Sequence, residues 1–424
     1  MELYFYFMVL NYIWIGFFLV GLVVAIVRTC IGYFVTHNPA DMHVFSTIGL
    51  GTFDSAKTAF TVALGLGGVI TLWMGLMKVG EKAGAIRFLS RIINPFFRKL
   101  FPGIPEGHPA QGQIVMNFSA NMLGLSNAAT PMGLKAMESM QELNTDKERA
   151  SNSMIMFLTL NTAGFTLVPV TIMGLRAANG AANPTDVFIP IIISSFFATY
   201  IGMLAVVIRQ RLFSAGLFAW LFAGLILFSG FILGFMQLSP EHKLEFSTIG
   251  GNIILLSIIC AFIAVAAFKK INVFEAFIEG AKEGFNTVIR IVPYLVAMIV
   301  AIGVFRNCGA LDYLVAGLAW VFELMGIDTR FVPALPVAFM KPLSGGGTEG
   351  LTIDLMKSHD YGADSFAGRL GSIIYASADT TFYIVALYFG SVGIKKTRYA
   401  VSAGLIADLA GILAAIFISY LFFG

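Results

Sequence analysis

The sequence is poor in charge: of its 424 residues, 12% are charged and 58% are hydrophobic. Soluble domains carry about 25% charged residues, so this chain cannot cover a water-facing surface. It has no long polar stretch from which a soluble domain could form. The net charge of +3 comes without a stripe of basic and aromatic residues, and a nucleic-acid partner is therefore not expected. The composition predicts a polytopic membrane protein.

Motifs for catalysis and metal binding are missing as well. Three scattered cysteines are too few for a disulfide framework, and no CxxC or HExxH spacing indicates a metal site. The sequence also lacks the GxxxxGK[ST] pattern that binds nucleotide phosphates. We therefore expect no resident metal, no cofactor and no enzymatic activity.

Long apolar runs are what the sequence does contain. A helix needs about 20 apolar residues to cross a bilayer, and runs of this kind predict an all-α membrane protein with about nine transmembrane helices. The predicted spans lie at 3–27, 58–77, 151–175, 187–208, 213–238, 249–268, 286–305, 371–391 and 400–422.

Three further segments have a different character. Residues 107–140 and 330–357 are nearly free of charge but are interrupted by Gly, Pro, Asn and Ser, which predicts two re-entrant hairpins. Residues 81–100 place apolar side chains at helical spacing with basic residues mainly between them. This pattern predicts an amphipathic helix on the membrane surface.

The chain repeats itself. The segment Asp54–Phe60 resembles Glu279–Phe285 at an offset of 225, and Asn161-Thr162 aligns with Asp379-Thr380 at an offset of 218. Five crossings separate corresponding points, so the second copy is expected to be inverted relative to the first. The predicted organisation is a first repeat at 1–210, a linking transmembrane helix at 211–245 and a second, inverted repeat at 246–424.

The basic residues predict the orientation, because cytoplasmic loops are enriched in Lys and Arg. With the N-terminus in the cytoplasm, 18 of the 27 Lys and Arg residues fall inside, 8 fall outside, and Lys341 lies within a hairpin. We therefore expect a protein of the bacterial inner membrane with its N-terminus in the cytoplasm and its C-terminus outside.

Inverted repeats with interrupted helices are typical of secondary transporters, whose sites form where the interrupted elements meet. Amides and hydroxyls are neutral donors and acceptors suited to a polar solute, although such groups also join membrane helices. The predicted substrate-binding residues are Asn117, Ser119, Asn121, Asn127, Thr130, Ser344, Gly345, Gly346, Glu349, Asp379, Thr380 and Thr381. The predicted coupling-ion residues are Asn161, Thr162, Asp379 and Glu349.

Two acids stand out because carboxylates at membrane depth are costly and usually functional. Glu349 follows three consecutive glycines and is expected to contact cargo or a coupling ion; the alternative is a structural ion pair with Lys341. Asp379 lies among hydroxyl residues and is expected to bind Na⁺, a proton or a cationic group. Asp408, in the last span, is more typical of a partner for a neighbouring helix.

Several motifs carry a resemblance to a known family. Those of the first half resemble spore maturation protein A: His108-Pro-Ala, NFSANMLGLSNAATPMGLK from Asn117, and Asn161-Thr162. Those of the second half resemble spore maturation protein B: FEAFIEGAKEG from Phe274, PLSG from Pro342, and DTTFY from Asp379 followed by GIKK from Gly393. The chain thus looks like a fusion of the two.

These proteins belong to the nucleoside-recognition, or gate-domain, group, which is similar to the membrane core of concentrative nucleoside transporters and ferrous-iron transporters. The resemblance implies that two re-entrant hairpins and two partly unwound helices build the substrate and sodium sites. The segments it places there are 117–130, 344–349, 161–162 and 379–381.

The expected function is secondary active transport of a small polar solute, nucleoside-like or a related metabolite, by alternating access coupled to Na⁺ or H⁺. The alternatives are a flippase for lipids or cell-envelope precursors, and a non-transporting envelope scaffold protein. The expected partners are the solute and the lipid bilayer, and assembly into a homo-oligomer stays open.

Overall fold

The computed structural model is all-helical. It describes the backbone of residues 2–424 and the side chains of these residues except 2–10, 126, 127, 240, 241, 244 and 247. The helices are α1 (Glu2–Ile31), α2 (Pro39–Met42), α3 (Val44–Ala83), α4 (Ala85–Leu100), α5 (Pro109–Met122), α6 (Ser126–Leu143), α7 (Asn152–Ala163), α8 (Val170–Ala178), α9 (Phe188–Gln210), α10 (Ala215–Met236), α11 (Pro240–Phe268), α12 (Val273–Asn307), α13 (Ala310–Leu324), α14 (Leu335–Met340), α15 (Gly345–Lys357), α16 (Phe366–Ala376), α17 (Thr381–Ser391) and α18 (Ala400–Phe423).

Eight segments of the described chain are long and apolar enough to cross a membrane, which confirms a multi-pass membrane protein. They are Asn11–Thr36, Val44–Ala83, Phe188–Gln210, Ala215–Met236, Thr248–Phe268, Val273–Asn307, Phe366–Ser391 and Ala400–Phe423.

Two predicted spans do not form continuous helices. Residues 151–175 fold as α7 and α8, separated by a break at 164–169, and residues 371–391 lie in α16 and α17, separated by a break at 377–380. Gly164 takes a left-handed conformation with φ of 56°, and Pro169, just before α8, has no N–H to donate to a helical hydrogen bond. Residues 151–175 carry no charged side chain, so hydropathy alone could not distinguish a broken helix from a continuous one.

The two longest helices, α3 and α12, pack closely along each other. They contain 40 and 35 residues. At a rise of about 1.5 Å per residue, both helices are longer than is needed to cross a bilayer core of about 30 Å. Gly280 and Gly284 of α12 face α3: a Cβ on Gly280 would lie 2.3 Å from the carbonyl oxygen of Met74. Small residues four apart therefore allow the two backbones to approach, as is common between membrane helices.

Helix α4 is the amphipathic helix that the sequence predicts at 81–100. Its apolar residues Ile86, Phe97 and Leu100 are buried, whereas Arg87 and Arg91 are exposed. The buried face packs on α5 and joins a core of buried side chains from α5, α6, α7 and α17. Its location on the membrane surface stays a prediction.

The two segments predicted as re-entrant hairpins each fold as a pair of helices, called here the first and the second hairpin. Helices α5 and α6 are joined at residues 123–125, where Gly124 has φ of 72°. Helices α14 and α15 are joined at residues 341–344, and Ser344 caps α15 by accepting a hydrogen bond from the Gly347 N–H at 3.0 Å. The first hairpin contacts the break between α7 and α8, and the second contacts the start of α17. Their re-entrant course in a membrane stays a prediction.

Candidate functional site

A cavity of about 200 Å³ lies where the two hairpin tips meet the two helix breaks. Polar groups from all four segments line it, and the apolar part of its wall comes mainly from the first break and α8. The lining residues are Asn121, Gly124, Asn161, Gly164, Thr166, Val168, Pro169, Val170, Thr171, Ile172, Lys341, Gly345, Tyr375, Ala376, Ala378, Asp379 and Thr380.

The first break is held in place by the first hairpin. The backbone N–H of Leu167, inside the break, donates to the carbonyl of Met122 at 2.8 Å. Gly124 lies so close to this segment that a Cβ on it would be 2.8 Å from the carbonyl oxygen of Val168. The hairpin tip and the unwound backbone therefore provide hydrogen-bond partners for each other, and buried backbone N–H and C=O groups require such partners.

The second break contacts the first directly. The backbone N–H of Asp379 donates to the carbonyl of Thr162 at 2.7 Å, and the N–H of Phe382 donates to Pro342 of the second hairpin at 3.1 Å. The Asp379 carboxylate accepts the N–H of Thr380 at 2.7 Å, just before α17 begins. Both breaks and both hairpin tips thus form one hydrogen-bonded unit around the cavity.

Lys341 places an ammonium group at the end of a helix. It is buried, donates to the carbonyl of Tyr375 near the C-terminus of α16, and lies 5.1 Å from the centre of the Tyr375 ring. The C-terminal end of a helix carries partial negative charge, so the cation is stabilised there. The alternative ion pair between Lys341 and Glu349 does not form within the part of the chain that the structure describes.

A chain of amides and a phenol extends from the cavity into the core. Asn121 donates to the Oδ1 of Asn161 at 2.9 Å, and the Tyr388 hydroxyl donates to the same oxygen at 3.3 Å. Asn117 is fully buried and donates to Tyr388 at 3.4 Å and to the Ala129 carbonyl at 2.8 Å. These contacts fix the side chain of Asn161 at the edge of the cavity.

Five of the predicted site residues converge on the cavity: Asn121, Asn161, Gly345, Asp379 and Thr380. Asp379 is exposed there, and a Cβ on Gly345 would lie 3.3 Å from the Thr380 hydroxyl. Whether these residues bind cargo or a coupling ion stays a prediction.

Other predicted residues have structural contacts instead. Ser119 donates to the Val115 carbonyl at 2.7 Å and lies 3.0 Å from the Ser90 hydroxyl. Thr381 donates to Asp408 at 2.5 Å, so Asp408 is the helix partner that its position in the last span suggested.

Four further predicted residues, Thr130, Gly346, Thr162 and Glu349, are not among the residues that line the cavity. Thr130 is half-buried and Gly346 has open space around it. The Thr162 hydroxyl is buried without a hydrogen bond, although its carbonyl joins the two breaks. Glu349 is half-buried, with no hydrogen-bond or ion-pair partner among the described side chains. The side chain of Asn127 lies outside the described residues.

Sequence reasoning missed Tyr375, Tyr388, Thr166 of the first break and Thr171 at the start of α8. Tyr375 is four residues before Asp379, and Tyr388 approaches Asn161 from a part of the chain 227 positions away. Gly164 and Pro169 inside the predicted span 151–175 were the available signal for the break and for the threonines beside it.

The two broken helices are also tied together at both ends. At one end Arg176 and Asp186 are buried; Arg176 pairs with Asp186 at 2.9 Å and with Asp364 at 3.0 Å, and Arg369 pairs with Asp186 at 2.7 Å. This network joins the end of α8 to the start of α16.

At the other end the contacts are exposed. Lys395 pairs with Glu148 at 2.5 Å, with more than half of each side chain exposed. The backbone N–H of Lys395 donates to the Glu148 carbonyl at 2.8 Å, and the N–H of Ala150 donates to Lys396 at 3.0 Å. These contacts join the start of α7 to the end of α17, so the two broken helices run antiparallel.

The chain is similar to known proteins in both halves. The Gate family model, described as nucleoside recognition, matches residues 63–179 and 288–395. The first half is similar to spore maturation protein A of Bacillus subtilis (strain 168), with 42% identity over 203 residues, which is 48% of this chain and 94% of that protein. The second half is similar to spore maturation protein B of the same organism, with 46% identity over 167 residues, 39% of this chain and 91% of that protein. Both similarities are consistent with a fusion.

Proposed function

The chain belongs to the Gate family of nucleoside-recognition membrane proteins, with one Gate domain in each half, and on that premise we propose that it is a secondary active transporter. The cargo is a small polar solute, nucleoside-like or a related metabolite, moved by alternating access. The observation that carries the proposal is the polar cavity between two helix breaks and two hairpin tips. Unwound backbone at membrane depth is tolerated where it is buried in protein or lines a wet cavity.

The antiparallel course of the broken helices supports an inverted repeat with re-entrant hairpins. The start of α7 is tied to the end of α17, and the end of α8 is tied to the start of α16. In this arrangement the two helix breaks contact each other, and each hairpin tip is hydrogen-bonded to one of the two broken helices. This is the geometry that places transporter sites near the bilayer midplane.

The two sets of contacts between the broken helices, around Arg176 at one end and at Glu148–Lys395 at the other, are compatible with alternating access. Opening the cavity to one face of the membrane requires one tie to break while the other holds. The buried network around Arg176 is the stronger tie, and the exposed pair Glu148–Lys395 is the weaker one. We therefore place the more easily opened end of the cavity at Glu148–Lys395, the end that the distribution of basic residues predicts to face the cytoplasm.

Lys341 favours H⁺ over Na⁺ as the coupling ion at this cavity. Helix C-termini and unwound carbonyls are where Na⁺ is coordinated in transporters of this kind, and here an ammonium group already occupies the end of α16. A proton needs no carbonyl ligands beside Lys341, because it binds covalently to the carboxylate of Asp379, which lines the cavity.

Flux into proteoliposomes tests the function. The purified protein is reconstituted and offered nucleosides, amino acids, organic acids and lipids under imposed Na⁺ or H⁺ gradients. We expect accumulation of one class that follows the proton gradient and collapses when a protonophore is added. If no class of solute moves in response to either gradient, the result would instead favour the scaffold protein.

A further inference from the structure

An apolar groove of about 390 Å³ lies on the other side of the wall that bounds the polar cavity. Five helices contribute to it: α4, α5, α7, α9 and α10. The lining residues are Ile92, Ile93, Phe96, Phe97, Phe118, Met122, Leu160, Phe165, Phe196, Thr199, Tyr200, Met203, Trp220, Leu221, Gly224 and Leu227. Side chains of this kind suit a hydrocarbon chain.

The wall of the groove includes a hydroxyl residue of α9. Thr199 is 8% exposed, and its hydroxyl is enclosed without a hydrogen-bond partner among the described residues. A local movement of this side chain would bring the hydroxyl to the groove, where an acceptor such as the ester carbonyl of a lipid tail would pair with it.

The groove and the polar cavity share a wall one residue thick. Asn121 lines the cavity while its neighbour Met122 lines the groove. In the same way Asn161 faces the cavity and Leu160 faces the groove. At the first helix break, Phe165 lines the groove between two residues of the cavity, and its ring packs against Phe196 with the ring centroids 6.2 Å apart. The unwound backbone at Phe165 therefore forms the boundary between the polar cavity and the apolar groove.

The polar cavity offers both signs of charge to a ligand. Lys341 and Asp379 line it and do not pair with each other within the described chain. Lys341 uses one N–H on the Tyr375 carbonyl, and an ammonium group has three. A head group that carries an anionic and a cationic group would be complementary to these two side chains.

We infer that the cargo is amphipathic, with its polar head in the cavity and one hydrocarbon tail in the groove. The inference rests on the proposed function and refines it: the polar solute is the head of a lipid-like molecule. The side chain of Phe165 separates the two sites, and its displacement joins them. The linking helix α10, which lies outside both Gate matches, supplies the outer wall of the groove.

Two glycines on α10 provide a matched test. Gly224 lines the groove, where a Cβ on it would lie 3.6 Å from Phe196, whereas a Cβ on Gly230 meets nothing within 4 Å. Gly224→Trp fills the groove, and Gly230→Trp adds the same bulk to the same helix elsewhere. The purified full chain is reconstituted in phosphatidylethanolamine bilayers that contain a diazirine on either the lipid tail or the head group. Adducts formed on irradiation are mapped by mass spectrometry.

We expect the tail probe to label the groove and the head probe to label the cavity near Tyr375 and Asp379, with both adducts lost in Gly224→Trp and retained in Gly230→Trp. Tail adducts without head adducts in the cavity would mean an ordinary boundary lipid and would overturn the inference, as would labelling that Gly224→Trp leaves unchanged. These adducts form without a gradient, so absence of flux in the proteoliposome assay would count against transport alone.

Discussion

The substitution Arg176→Met is expected to destabilise the fold much more than Lys395→Met, although each removes a cation that ties the same two broken helices. The Arg176 guanidinium is fully buried. It donates to the Ala363 carbonyl at 2.7 Å, to Asp186 at 2.9 Å and to Asp364 at 3.0 Å. Methionine fills similar space but leaves these acceptors without their donor.

The magnitude follows from what the remaining groups can still contact. Removing one partner of a buried ion pair costs about 3–5 kcal/mol, because the other charge is left uncompensated. Here Asp186 keeps Arg369 at 2.7 Å, and Asp364 keeps the N–H of Ala182 at 2.8 Å. The expected loss is therefore near the lower end, about 3 kcal/mol.

Lys395→Met, the matched substitution at the other end of the broken helices, is expected to reduce the free energy of unfolding only slightly. Glu148 and Lys395 are more than half exposed, and pairs of this kind contribute about 0–1 kcal/mol. The backbone hydrogen bonds from Lys395 and Lys396 to the Glu148 carbonyl, at 2.8 and 2.9 Å, do not depend on the side chain. Thermal unfolding in detergent, followed by tryptophan fluorescence, compares the two variants with the parent protein. Equal shifts in melting temperature would refute the assignment of a strong and a weak tie.

Three further predictions address the site and the topology. Asp379→Asn is expected to abolish gradient-driven flux while insertion and melting temperature stay unchanged, since an amide keeps the shape but cannot carry a proton; parental flux would remove Asp379 from the site. Lys341→Met is expected to create a sodium dependence, seen as a higher melting temperature in NaCl than in choline chloride, and the parent protein is expected to show no such difference; a sodium-specific shift in the parent would contradict the proposal that the Lys341 ammonium occupies the place of Na⁺ at the end of α16. In a background without the native cysteines, Arg91→Cys and Leu314→Cys are expected to label with an impermeant maleimide from opposite faces of the membrane, whereas labelling from one face would exclude the inverted repeat.

Much of the fold could be predicted from the sequence because membrane helices are specified locally. The spans, the amphipathic helix α4 and the two hairpins follow from runs of apolar residues, charge spacing and Gly-rich interruptions. The doubling of the Gate domain was visible in weak repeats such as Asn161-Thr162 and Asp379-Thr380. These features need no knowledge of which helices are neighbours.

The contacts of the site could be predicted only in part, because they join distant parts of the chain. Asn121, Asn161 and Asp379 were recognised by residue type at an interrupted helix. The buried position of Arg176 was not, since its partner Asp364 lies 188 residues away. For Lys341 the sequence suggested Glu349, eight residues on, whereas the ammonium group binds a backbone carbonyl, which has no signature in the sequence.

The helix break at 164–169 explains why a polar and an apolar site can occur on one element. In a continuous α-helix neighbouring residues point about 100° apart around a shared axis, and each peptide group is occupied within the helix. At the break the backbone is held from outside instead, by Met122 through Leu167 and by Asp379 through Thr162. Phe165 can therefore turn toward the groove while its neighbours Gly164 and Thr166 face the cavity. A movement that remade either hydrogen bond would shift Phe165 with it, so we expect opening of the cavity and opening of the groove to be coupled through the same unwound turn.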